Sequence, residues 1–244
     1  MILDVKAVVR AHPVLSAVVV TVLWHAALYA AVQVLPRTVP EPSADLVATV
    51  ANLVAAGVPL AAVALLRWWR QAGLGRPVTR RLRLTVPVLL VNLTYAAPGL
   101  TGGAARYAAT ASLCLAVGVS EEMLSRGVVQ RMLWPLGRTR ATVGVAVLFG
   151  LGHALSAVWF SRPWDDSVVQ VVTTTAFGFA YAALRWHLGS IWPLVVLHAM
   201  DDFFQLRSPG AAPLWWQAAV VLVFVGYGGW LLRQPGSATP PAAS

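Results

Sequence analysis

The chain has 244 residues, 58% of them hydrophobic and only 11% charged, with a formal net charge of +9 and a mean hydropathy of +0.70. Soluble domains are about half apolar and a quarter charged, so this composition excludes a soluble domain and places the chain in a lipid bilayer. The single cysteine, Cys114, excludes an intrachain disulfide and a thiolate zinc cluster. The basic residues fall in short groups between apolar segments, which excludes nucleic acid as a partner and leaves the anionic inner leaflet.

Segments of about 17–25 apolar residues cross hydrocarbon as helix. Eight of about that size follow in order: 13–35, 46–66, 84–100, 107–125, 141–160, 168–184, 190–205 and 214–232. The expected fold is therefore all-α, a polytopic transmembrane helical bundle of about eight spans, with one membrane domain over 1–233. The first segment exceeds the roughly 7–15 residues of a signal-peptide core, so it reads as a retained helix. Pro59 and Pro87 fall inside spans, where neighbouring helices can satisfy the freed carbonyls. The tail 234–244, rich in Pro, Ala, Ser and Gly, has too little apolar surface to fold and reads as disordered; it ends without a prenylation signal.

Basic residues orient the spans. With the N-terminus cytoplasmic, the inner pieces hold Lys6 and Arg10, then six arginines from Arg67 to Arg83, then Arg126, Arg131, Arg138 and Arg140, then Arg185 and Arg233. The outer side keeps Arg37, Arg106, Arg162 and Arg207, a bias of fourteen to four that puts both termini in the cytoplasm of a cell-membrane protein. Trp68 and Trp69 beside the longest basic loop fit an interfacial anchor.

Five of the nine acids fall in termini or loops; Glu121, Glu122, Asp201 and Asp202 do not. An ionisable group at membrane depth costs at least a few kcal/mol unless paired or hydrated, so each marks a function. Glu122 and Arg126, four apart on a helix, share a face and can pair. Glu121, rotated by about 100°, is not satisfied by that contact and is the better general base. His153 lies mid-span in Phe149-Gly150-Leu151-Gly152-His153, and His198 mid-span in His198-Ala199-Met200-Asp201-Asp202, where either aspartate can fix its tautomer. His25 and His187 lack acidic neighbours and read as structural or interfacial, and the sequon Asn92-Leu93-Thr94 lies inside a span beyond glycosylation. Zincin, serine-elbow, Gly-x-Gly-Asp and phosphate-loop signatures are missing.

In order, Glu121-Glu122-x-x-x-Arg126, Phe149-x-x-x-His153 and His198-x-x-x-Asp202 resemble the three motifs of the CPBP intramembrane protease family. That family includes type II CAAX prenyl endopeptidases and Abi-type bacteriocin self-immunity proteins, and the likeness covers about 107–205, a protease-like core. The resemblance implies a helical membrane protease opening toward the cytoplasm and lateral lipid. Carried over by position, Glu121 activates water with His153 as its partner, His198 and Asp202 stabilise the oxyanion, and Glu122 and Arg126 support them. The family is commonly labelled metalloprotease, yet a metal-free glutamate mechanism also fits, so Zn²⁺ held by His153 and His198 stays open. Asp202 stands where the prenyl endopeptidases carry Asn, while bacterial relatives vary between the two; an ionised Asp cannot donate to an oxyanion, so it is protonated, orients His198 or binds metal.

The expected function is endoproteolysis of a membrane-associated protein or peptide. A non-catalytic immunity or adaptor protein and a proton-relaying transporter are the alternatives; the lack of an inverted repeat argues against the latter. High Ala, Val, Arg, Gly and Pro content points to a GC-rich bacterial genome, where a membrane peptide, pheromone precursor or bacteriocin leader is a more natural substrate than a prenylated protein. The oligomeric state is not legible.

Overall fold

The computed structural model describes residues 5–159 and 163–236. Among the described residues every regular element is a helix. In chain order they are α1 (Val5–Ala11), α2 (Pro13–Thr38), α3 (Ala44–Leu66), a 3₁₀ segment (Thr79–Thr85) leading into α4 (Val86–Thr94), α5 (Ala104–Glu122), a π-helix (Met123–Val129), α6 (Gln130–Leu133), a short 3₁₀ turn (Trp134–Leu136), α7 (Arg138–Trp159), α8 (Trp164–Leu188), α9 (Trp192–Arg207) and α10 (Leu214–Arg233). Most of the tail 234–244 lies outside the described residues.

The long helices start where local chemistry allows. Pro13 opens α2, where its missing N–H would have had no partner. The Ser43 hydroxyl accepts the Leu46 N–H at 3.2 Å at the start of α3. Pro87 is also a starter: it occupies the first turn of α4 and does not interrupt a span. The expected span 84–100 is correspondingly shortened, because α4 ends at Thr94. Pro98 disfavours helix in the residue before it, and Gly99 follows with φ +98°.

Among the described residues four helices are long and apolar enough to cross a membrane: α2, α3, α8 and α10. The other expected spans do not meet that joint test of length and apolarity. α5 ends in Glu121 and Glu122 and α9 has only 16 residues with two aspartates. α7 starts with two arginines among its first three residues. In α5 and α9 the ionisable groups of the site lower the apolarity, as expected where polar side chains face the bundle interior.

The bundle is apolar outside and keeps a polar cluster within its largely apolar core. Leu15, Leu65 and Leu222 face outward, whereas Glu122, Arg126, Gln130 and His198 are buried. α5 packs between α3 and α9, and α7 lies along α8, which in turn meets α10. Gly118 permits the α5–α9 approach: a Cβ there would stand 2.9 Å from the Val195 carbonyl oxygen. Gly118→Ala should therefore force the helices apart and lower unfolding stability in detergent by about 1–3 kcal/mol. Gly57→Ala, with nothing within 4 Å of the added carbon, should not. Thermal unfolding of the two purified variants makes the comparison, and equal stability would remove the case for close packing here.

The segment after α3 folds back under the α8–α9 joint and is not a free surface loop. Ile191 N–H donates to the Gly73 carbonyl at 3.0 Å, and Val78 N–H to that of Leu188 at 2.9 Å. Ser190 donates to Gly75 O at 2.7 Å, and Trp192 Nε1 to Leu74 O at 3.1 Å. Arg185, expected in an inner turn, is buried on α8 and donates to Gln71 O at 3.2 Å. Arg138 Nη1 donates to Gln234 O at 2.9 Å, so the chain after α10 joins the same end. At the opposite end the Thr101 N–H reaches Arg207 O at 2.7 Å.

Candidate active site

The centre is built on the end of α5. Glu122 Oε1 accepts from Arg126 Nη1 and from His198 Nδ1, both at 2.8 Å. Glu122 and Arg126 side chains are 0% exposed, so each charge depends on the other, as buried ion pairs must. The Arg126 guanidinium carbon sits 4.4 Å from the Phe149 ring centroid, 5.4 Å from that of Tyr181 and 5.6 Å from that of Phe177. Those aromatic faces attract the cation as well as enclosing it. The π-helix holds Arg126 in place: the Gln130 N–H bonds to Ser125 O, five residues back, and such wider turns cluster at functional sites.

His198 is thus held by Glu122 from another helix, where the sequence pointed to an aspartate three or four residues on. Its Nδ1–H donates to the carboxylate, and Nε2 turns toward Glu121 Oε2 at 3.8 Å and Asp202 Oδ2 at 3.7 Å. Asp202 is the aspartate nearer the ring; Asp201 instead accepts from Gln205 Nε2 at 2.7 Å. Asn92 donates to Leu197 O at 2.7 Å, bracing α9 one residue before the histidine.

Glu121 points elsewhere. Its side chain is 16% exposed and lines a cavity of about 240 Å³ with His25, Gly152 and His153. His153 Nδ1 is 2.9 Å from Phe149 O, a carbonyl that can only accept, so Nδ1 carries a proton. A second cavity of about 680 Å³ has His198, Asp201 and Asp202 in its wall. Phe149, His153 and Gln170 line both spaces. The structure therefore brings Glu121, Glu122, Arg126, His153, His198 and Asp202 to one region, divided between two cavities.

His25, read from the sequence as structural or interfacial, also lines the smaller cavity. His25 on α2 is buried, its Nδ1 is 2.9 Å from Thr21 O, and its ring lies over Gly152, whose missing Cβ would be 2.7 Å from Nε2. The available signal was a lone imidazole in an otherwise uncharged span; its neighbours come from α5 and α7, which spacing along α2 cannot show. Trp24 Nε1 donates to Ser120 Oγ at 2.9 Å and ties that helix to the glutamate-bearing one. His187, by contrast, is a buried packing residue whose Nε2 lies 3.0 Å from Leu231 O.

A metal site over His153 and His198 is not supported by the donor set. Among the described residues no three His, Cys, Asp or Glu side chains converge as ligands.

Fold and site together define a helical membrane protein that keeps a carboxylate–imidazole centre inside its bundle. The family model described as Type II CAAX prenyl endopeptidase Rce1-like matches residues 103–204, which supports placing the chain in the CPBP/CAAX protease family. The match takes in every motif residue from Glu121 to Asp202 and leaves out α1 to α4 and α10. No curated protein and no solved structure matches the chain.

Proposed function

We propose that the protein is an intramembrane endopeptidase in which Glu121 activates the attacking water. The observation that carries this is the division of labour between adjacent glutamates. Glu122 is fully buried and its Oε1 is held by both Arg126 and His198, while Glu121 is partly exposed and lines a cavity with His153. Glu121 takes a proton from water, the hydroxide oxygen adds to the scissile carbonyl, and Glu121 returns the proton to the leaving amine as the C–N bond breaks. His198, fixed through Nδ1, presents Nε2 to the developing oxyanion, and as imidazolium it donates there. Asp202, an acceptor when ionised, orients that ring. Glu122 and Arg126 position His198 and touch no reacting atom.

The substrate is a membrane-associated polypeptide. The composition of a GC-rich bacterial genome favours an exported or membrane peptide over a prenylated protein. Quantitative proteomics of membrane peptides, wild type against Glu121→Ala, is the direct test. Unprocessed precursors should accumulate in the variant, and identical peptide sets would favour a binding or immunity role on the same scaffold.

The same reading makes 1–233 one membrane domain of eight passes with both termini cytoplasmic. It is supported by the grouping of the basic pieces after α3, before α7 and after α8 and α10 at one end of the bundle. Reporter fusions after Arg83 and Arg140 should read cytoplasmic and one after Asp166 external. The opposite pattern would reverse the orientation.

A further inference from the structure

Glu121 and His153 each follow a residue that α2 holds. Ser120 precedes Glu121 on α5, and its buried hydroxyl accepts Trp24 Nε1–H at 2.9 Å. Gly152 precedes His153 on α7, and the His25 ring lies so close to it that a Cβ there would stand 2.7 Å from both Cε1 and Nε2. Trp24 and His25 are neighbours in sequence, both buried, and their rings meet edge to face with centroids 4.8 Å apart. The His25 ring is fixed along its other edge, where Nδ1–H donates to Thr21 O at 2.9 Å. Indole has a single donor, and here it is used on the residue beside the proposed base. An ionisable ring at membrane depth is costly and marks a use, and His25 stands in the wall of the cavity of about 240 Å³ that holds Glu121 and His153. Residues 103–204 carry the family match, so α2 supplies this arrangement from outside it.

We propose that Trp24 and His25 are positioning residues for the hydrolytic step: α2 sets the separation of Glu121 and His153 by holding α5 at Ser120 and α7 at Gly152. This rests on the proteolytic reading of Glu121. The two reacting side chains belong to different helices, and a water shared between them must lie within about 2.6–3.2 Å of each. A misplacement of about 1 Å can cost a hundredfold in rate. A directional hydrogen bond on one helix and a steric seat on the other act on the backbone next to each reacting group, where a shift passes directly to the side chain. Neither Trp24 nor His25 exchanges a proton in this role.

The test uses the purified full-length protein and, as substrate, a precursor that accumulates in Glu121→Ala cells. Trp24→Phe keeps an aromatic ring but removes the donor, and Ser120→Ala removes the acceptor from the other side. Each should lower kcat by about ten- to a hundredfold and leave KM within about twofold of wild type, the pattern of a loss confined to the transition state. The double variant should be no slower than the slower single, because both changes remove the same bond. His25→Ala should show the same split between kcat and KM. Gly152→Ala should unfold at a lower temperature than wild type, and adding His25→Ala should raise it again, since the new methyl then occupies space the ring has left. Wild-type kcat in Trp24→Phe and Ser120→Ala overturns the hold on α5, and wild-type kcat in His25→Ala overturns that on α7. A loss that vanishes when rates are normalised to folded protein, or one that appears in KM alone, overturns positioning in favour of packing. If no precursor accumulates in Glu121→Ala cells, the proteolytic reading fails and takes the proposal with it. If Glu121→Gln is inactive while all four single variants match wild type, that reading stands and the positioning role alone falls.

Discussion

Glu121→Gln should lower processing of the physiological substrate by at least about a hundred-fold, the lower bound for loss of a positioned general base. Gln keeps the shape and most of the polarity of the side chain but cannot accept a proton from water. The fold should tolerate the change, because the Glu121 carboxylate meets His198 at 3.8 Å, beyond hydrogen-bond length, and is partly exposed to its cavity. His153→Ala and His198→Ala should each cost a comparable factor. Their combination with Glu121→Gln should cost little more than the worst single change, since groups acting in one step fail together. The measurement is precursor-to-product ratio at matched membrane expression. Full processing in all three variants would sink the enzyme and leave the scaffold as a binding protein.

Much of this was legible in the sequence because hydrocarbon makes the rules strict. Spacing put Glu122 and Arg126 on one helical face, and they meet at 2.8 Å. The apolar segments fall on α2, α3, the 3₁₀–α4 stretch, α5 and α7 to α10, although only four of these helices are apolar enough to be read as spans unaided. What spacing could not supply is contact between helices. The short bond from His198 to Glu122 joins residues 76 apart, and His25 reaches the site only because Gly152 lets its ring approach. Nor does composition announce a π-helix: Met123–Val129 looks like ordinary apolar helix until Gln130 is seen bonded to Ser125. Loop burial was equally hidden, since the fold of 71–78 under α8 and α9 depends on backbone partners.

The second large effect concerns the buried cluster that holds His198. Glu122→Gln should destabilise the protein by about 3–5 kcal/mol, the usual result of leaving one member of a buried pair without its counter-charge. Arg126 would then keep the aromatic rings of Phe149, Phe177 and Tyr181, whose attraction for a desolvated cation is worth about 2 kcal/mol or more but does not replace the lost counter-charge. Arg126→Met should cost less, because the carboxylate keeps His198 Nδ1 at 2.8 Å and the thioether can fill the aromatic cage. Combining the two removes both charges from the interior, and apolar replacement of a whole buried pair is often close to neutral. The double variant should therefore be more stable than Glu122→Gln alone, with a coupling of at least about 1 kcal/mol, inside the range for residues in one network. Unfolding of the four proteins in the same detergent closes the cycle. Strict additivity would mean that the pair contributes nothing as a pair. Activity separates the roles further: the double variant, even if stable, lacks the carboxylate that fixes the His198 tautomer, so it should remain inactive when stability has been regained.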